Sequence, residues 1–250
     1  LSLMYQRQEH RMSLLSVVQD SLKEIGGFEV PTSVVGNTNE TAVLSLALAN
    51  RSLLETAKRT DWANQTVRGT ITTANGTDQY ALPSDFKGLM NDSMWDDTNN
   101  RKVFGPISAS MWEFFKNSSV SNTSLTRYMR IYKATANNNK VFYFYPTPDS
   151  TATIRYEYQS NGVAEASDGT LQAKYLADTD TALLDEDTVA LGFKWRILKS
   201  RGLPYAEEFR DYEMAIESSI NDNGAGIIDT GSDTMFDKFL VITPDGSWNV

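Results

Sequence analysis

An α+β fold, with a helical bundle built from both ends of the chain and an antiparallel β-rich lobe inserted between them, follows from three features of the sequence. Apolar residues recur at helical spacing before about residue 60 and again after Asp185. From Trp62 to about Ser160, short β-branched and aromatic runs are separated by Asn, Gly, Asp and Pro, the grammar of strands joined by tight turns. After Gly226 neither pattern continues, and the chain is expected to run on as an extended C-terminal arm.

The first helix is predicted from Met12 to Ile25, where Leu14, Val18, Leu22 and Ile25 share one face and Gly26-Gly27 is the stop. The second runs from about Asn39 to Arg59, capped by Thr38 or Asn39, with Val43, Leu46, Ala47, Leu54 and Ala57 as its expected stripe. Asp185 caps a third, followed by Glu186 and Asp187 where the helix dipole favours negative charge, and Val189, Phe193 and Ile197 form its buried side. Pro204 opens the fourth, with Tyr205, Phe209, Tyr212, Ile216 and Ile220 on one face. Neither pair can bury its stripes alone, so the four helices are expected to meet as one bundle.

Within the lobe, Val67–Thr73 and Gln79–Leu82 around Asn75-Gly76 read as a hairpin, because that dipeptide suits a type I′ turn. Met94–Asp96 with Arg101–Phe104, and Tyr128–Lys133 with Lys140–Tyr145, suggest two more. Ile154, Tyr156 and Tyr158 alternate with polar residues, so that strand has one wet face. Val141–Tyr145 is apolar on both faces and is the expected central strand. A short helix, Ser108–Lys116, interrupts the region. The resulting division is 1–61 and 177–223 for the helices, 62–176 for the lobe and 224–250 for the arm.

Composition removes much chemistry. The 250 residues contain no cysteine and one histidine, so thiolate metal sites, thiol nucleophiles and multi-histidine centres are excluded, and His10 lies in an unpatterned stretch. A net charge of −9 opposes a protein that grips nucleic acid, which needs clustered Lys and Arg. No apolar run approaches the length of a membrane span. No catalytic, cofactor-binding or metal-binding set is assigned, and no cofactor is expected.

Four constellations have plain readings. Asp96, Asp97 and Glu113 near Trp95 and Trp112 resemble a glycosidase pair on an aromatic platform, yet Asp96-Asp97 precede a turn where Asp is ordinary. Asp178, Asp180, Asp185, Glu186 and Asp187 lack the rhythm of a calcium loop and read as a capped helix start. Gly224-Ala225-Gly226 follows a helix instead of linking a strand to one, unlike a dinucleotide fingerprint. The seven Asn-x-Ser/Thr sequons match what a chain rich in Asn, Ser and Thr produces by chance.

Two features point to interaction. The arm carries Ile227, Ile228, Met235, Phe236, Phe239, Leu240 and Trp248, too apolar for a free polar end. It is either a last strand on its own domain or an arm that a neighbouring subunit covers. The last helix carries Glu207, Glu208, Asp211, Glu213 and Glu217 on its polar side.

From about Met12 to Asp222 the chain resembles the head-to-tail connector (adaptor) proteins of tailed bacteriophages, the tail-tubular-protein-A-like group. The resemblance rests on Asp61-Trp62, Tyr80-Ala81-Leu82-Pro83-Ser84-Asp85-Phe86, Met94-Trp95-Asp96, Gly105-Pro106-Ile107-Ser108 and Trp112. It continues through Phe144-Tyr145-Pro146-Thr147-Pro148, Tyr156-Glu157-Tyr158, Leu183-Leu184-Asp185-Glu186, Lys194-Trp195-Arg196 and Tyr205-Ala206-Glu207-Glu208-Phe209. It implies a non-enzymatic virion protein, assembled in the host cytoplasm into a twelve-copy ring. That ring would sit below the portal, join the capsid to a tail or nozzle protein, and continue the channel for double-stranded DNA. In such a ring the five carboxylates of the last helix would line the channel and keep phosphates from sticking. Two other readings differ in class: a carbohydrate-active or receptor-binding tail protein, and a tail or baseplate subunit without portal contact.

Overall fold

The computed structural model describes residues 12–90, 92–117, 126–133 and 140–224. Its helices are α1 (Leu14–Ile25), α2 (Glu40–Ala57), α3 (Ala109–Asn117), α4 (Glu186–Ser200) and α5 (Ala206–Gly224). Strands β1 (Thr66–Thr72), β2 (Gln79–Ala81), β3 (Phe86–Leu89), β4 (Trp95–Asp96), β5 (Arg101–Phe104), β6 (Arg127–Lys133), β7 (Lys140–Tyr145) and β8 (Thr153–Ser160) form one sheet. A smaller sheet holds β9 (Ala164–Glu165), β10 (Leu171–Gln172) and β11 (Thr181–Ala182). The fold is α+β.

Local chemistry sets the helix ends. Ser13 caps α1 through a bond from the Ser16 N–H, and Gly26, at φ 72°, ends it. Asn39 accepts from the Thr41 N–H at 2.8 Å and opens α2. Asp185 accepts from the Thr188 N–H at 2.9 Å and opens α4, with Glu186 and Asp187 in the first turn. Helix α4 contacts α1, α2 and α5. Leu14, Val18, Leu22, Leu53, Val189, Phe193 and Ile197 make the shared core.

Helix α2 buries a different face from the one its aliphatic spacing predicts. Of the predicted stripe Ala57 is buried and Leu46 packs against the core, but Val43 is 53% and Leu54 36% exposed and Ala47 is exposed, whereas Ala42, Ser45, Ala49, Ser52, Leu53 and Thr56 are buried. The reason is close approach. A Cβ at Gly192 of α4 would lie 2.1 Å from Ser52 Oγ and 2.8 Å from Tyr212 Cε2, so α2, α4 and α5 meet where only small side chains fit. Ser52 Oγ donates to the Val189 carbonyl at 2.9 Å, which satisfies the buried hydroxyl. On α5, Tyr212 and Ile216 are buried as expected, but Tyr205 and Phe209 at its N-terminal end stay 36% and 40% exposed.

The large sheet runs β1-β8-β4-β5-β6-β7-β2, with β3 also paired to β8. The β4–β5 and β6–β7 pairs form as predicted, and β8 buries Ile154, Tyr156 and Tyr158 while Arg155 and Glu157 face solvent. The Asn75-Gly76 hairpin does not form. Strand β1 pairs with β8 and β2 with β7, at opposite ends of the sheet. The turn is present, but Gly76 donates to the Pro148 carbonyl at 2.8 Å and redirects the chain instead of folding it back. Residues 73–78 span at most about 25 Å, less than the roughly 29 Å that six strand spacings would put between β1 and β2 in a flat sheet, so the sheet curls. Phe86 bridges that curl, its ring 5.9 Å from Phe142 of β7 and 5.6 Å from Tyr158 of β8.

Two further expectations are corrected. The lobe is not wholly antiparallel: β5 and β6 are parallel, because α3 supplies the crossover between them. Strand β7 has both faces covered, Phe142 and Phe144 in the sheet core and Tyr143 and Tyr145 against Trp112 of α3, but it lies one place from the end of the order, and β8 is the strand with three partners. The small β9–β11 sheet went unread in the sequence, its strands being two residues each. Val163, Ala164, Tyr175 and Ala182 from that stretch belong to the helical core.

Candidate interaction surface

Helices α4 and α5 form an antiparallel hairpin, with Thr188 Oγ1 3.1 Å from Ser219 Oγ at one end and Trp195 against Phe209 at the other. Its interior is tied by polar groups. Arg196, almost fully buried, pairs with Glu55 of α2, donates to the Gly192 carbonyl, and stacks 4.2 Å from the Trp195 ring. Burial opposes the Glu55 charge, yet Arg196 and then Arg51 prevail and hold its carboxyl below the usual carboxylate range. Tyr212 OH reaches Thr56 Oγ1 at 3.2 Å. These ties fix which side of α5 faces outward.

The five carboxylates predicted to line a channel lie on that outward side, but not as one stripe. At about 100° per residue, Glu207, Glu208, Asp211, Glu213 and Glu217 spread over about 220° of the helix circumference. Glu207 and Glu217 are exposed, and Glu208, Asp211 and Glu213 half-buried. Glu213 pairs with Arg59 at 2.6 Å and Asp211 lies 3.8 Å from Arg210. Exposed Met214 interrupts the sheath.

At the other end of α5 the turn 61–65 joins the helices to the sheet. Trp62 Nε1 donates to the Thr56 carbonyl at 3.1 Å, and the Trp62 carbonyl accepts from Gln159 Nε2 of β8 at 3.3 Å. Asn223 accepts from the Ala63 N–H at 2.8 Å and donates to the Asp61 carbonyl at 3.1 Å, stitching the last turn of α5 to the same joint. An open cleft of about 910 Å³ lies beside it, lined by Trp62, Met12 and the carboxylates Asp185, Glu186, Asp187 and Asp222. Sequence reading singled out Asp61-Trp62 as a motif. It missed Gln159 and Asn223, whose partners are distant in sequence. The arm residues Ile227, Ile228, Met235, Phe236, Phe239, Leu240 and Trp248 lie outside the described residues.

A family model, SU10 adaptor protein, matches residues 12–227. The chain belongs to the SU10 adaptor protein family. It is therefore a phage head–tail adaptor and a structural component of a virion, and the tail-tubular-protein-A-like grouping is not what the match names. Compared with curated proteins, the chain has no match. The SU10 adaptor match takes in every described helix and strand, from α1 to α5.

Several motifs behind the phage resemblance have structural work in this adaptor. Asp85 accepts from Tyr158 OH at 3.1 Å and from Ser160 Oγ at 2.7 Å, pinning the β2–β3 corner to β8. Burial, and then that hydrogen bond, push the Tyr158 phenol up to about 12. Gly105, at φ 148°, passes so close to β6 that a Cβ would lie 2.3 Å from the Met129 carbonyl oxygen.

Of the carboxylates posed as a glycosidase pair in the SU10 adaptor chain, Glu113 is exposed on α3, and Asp96 and Asp97 are already engaged. Asp96 is 4% exposed and accepts from Arg127 at 3.1 Å, from the Asn99 N–H at 3.0 Å and from Asn99 Nδ2 at 2.9 Å. Asp97 pairs with Arg155, and Trp112 is buried among Tyr132, Tyr143 and Tyr145 instead of forming an open platform. The acidic run at 178–187 also serves the backbone. Asp178 accepts from the Val34 and Val35 N–H groups, Asp180 from those of Leu176 and Ala177. Among the described residues, no group of acidic side chains is arranged to hold a metal ion. No helix there is long and apolar enough to cross a membrane.

Proposed function

We propose that this adaptor forms a homo-oligomeric, twelve-copy ring below the portal protein, joins the capsid to a tail or nozzle protein, and continues the channel through which double-stranded DNA passes. The observation that carries this reading is the adaptor-family match over residues 12–227, the whole described fold. The surface of α5 supports it: a broad acidic sheath repels phosphate along its length, so DNA in contact with it would slide without being held. The helices α1, α2, α4 and α5 act as the ring body, the curled sheet as a projecting lobe, and the arm from Ile227 to Trp248 as the segment that engages a neighbour or the portal.

Structural imaging of the purified chain mixed with its portal tests this directly. A ring stacked coaxially on the portal, with α5 lining its bore, is the expected result. A monomer or trimer that ignores the portal would overturn the adaptor ring, and a ring with α5 on its outer wall would overturn the channel lining alone.

A further inference from the structure

The turn between α4 and α5 exposes an apolar corner that the interior of the fold leaves uncovered. Leu203 is 43%, Tyr205 36% and Phe209 40% exposed. Behind them Trp195 lies 6.2 Å from Tyr205 and 5.2 Å from Phe209, ring centre to ring centre. Exposed Lys199 sits 5.6 Å from both the Trp195 and Tyr205 rings, so aromatic rings and a cation meet at this corner, beside the exposed carboxylate of Glu207.

We infer that in the free subunit this corner is covered by the chain's own arm, through residues 235–240. The inference rests on the reading of the arm as an interaction segment and adds where it goes before a partner arrives. Reach is the first argument. From Gly224 back to Phe209 or Tyr205 is 15 to 19 helical residues, about 22–28 Å, which an extended chain covers in about seven to nine residues. That return consumes Ala225 to about Asp233, a stretch rich in Gly, Ser, Thr and Asp, and delivers Met235, Phe236, Phe239 and Leu240 to the corner. Charge is the second. Asp233, Asp237 and Lys238 lie around Phe236, and the corner presents both signs to them, Lys199 at its rings and exposed Glu207 two residues before Phe209. Tethering is the third: a linker whose length matches its span gives a local concentration on the order of millimolar, above that of any second copy in dilute solution. A partner that binds the arm must first displace this contact, so assembly exchanges one apolar surface for another.

The absence of cysteine makes the test clean. The full chain carrying Leu203→Cys with Phe239→Cys is oxidised with glutathione disulfide at low protein concentration. It is compared with Val43→Cys paired with Phe239→Cys. Val43 is exposed at the same end of the helices, since neighbouring Glu40 pairs with Arg201 at 3.2 Å, so it controls for reach alone. The expected result is an intramolecular cross-link at Leu203 about tenfold faster than at Val43, unchanged on dilution. Equal rates at the two positions, or cross-links at Leu203 that form only between chains, would overturn the proposal. Failure here with portal binding intact would leave the adaptor reading standing, and the converse result would separate them the other way.

Discussion

The helical core and the sheet core are built on opposite rules. Around Gly192 the helices meet through small or hydroxyl-bearing residues, Ser45, Ala49, Ser52 and Thr56, and the hydroxyls of Ser52 and Thr56 are tied across the interface. Inside the sheet the same job is done by rings: Phe86, Phe142, Tyr156 and Tyr158 fill the curl, with Phe142 and Tyr156 5.0 Å apart edge to face. The difference teaches where each half is vulnerable. The sheet depends on volume being present, and the seam where α2, α4 and α5 meet at Gly192 on volume being absent.

Truncating a ring is the severest way to break that contrast. Phe142→Ala should cost about 3–5 kcal/mol, because Phe142 is fully buried and the curled sheet cannot collapse without separating strands. Urea unfolding measures it, and a loss below about 1 kcal/mol would mean that the sheet core is not built on volume. Adding volume to the helices comes next. Gly192→Val should cost about 1–3 kcal/mol, with part of the loss recovered by Ser52→Ala, which removes the nearest oxygen. An unchanged unfolding midpoint would show that α2 and α4 have room to part.

The smallest effect sharpens the polar side of the comparison. Glu55, about a third exposed, has its carboxyl held below the ordinary range by Arg196 and Arg51 despite partial burial. A carboxylate whose folded pKa is depressed contributes stability that is present above its unfolded pKa and is lost as pH falls through the folded one. Glu55→Gln should therefore cost roughly 0.5–1 kcal/mol at neutral pH, after discounting for solvent, and the gap to the parent should narrow as pH falls below the ordinary carboxylate range and through the depressed folded pKa. A gap that persists at low pH would mean that packing, not charge, is what the substitution removes.

Legibility followed the range of the determining contacts. Helix starts at Asn39 and Asp185 were readable because a cap acts within three residues, whereas the Ser13 cap of the first helix went unread. The alternation of β8 was readable because one face is wet. The pairing of β1 and β2 was not, since Asn75-Gly76 specifies a turn but not what the strands on either side will pair with. The buried face of α2 was misread for a related reason. A hydrophobicity stripe rewards Val43 and Leu54, while the face that packs was selected for smallness. For the interaction surface, the acidic character of α5 was evident from its residues. Its spread around the helix followed from which side Tyr212 and Ile216 bury, and Glu213 proved to pair with Arg59.

By itself the sequence determined the α+β class, the positions of the five helices among the described residues, the exclusion of thiol and multi-histidine chemistry, and the kinship with phage connectors. Each of these depends on residue type or on spacing within a few turns of chain. Only the tertiary structure decided that the sheet curls, that β5 and β6 run parallel, that Trp62 and Asn223 lock the helices to the sheet, and that Asp96 belongs to Arg127 and Asn99 rather than to a substrate. These depend on pairs far apart in the chain, whose energies become defined only when the backbone has closed around them.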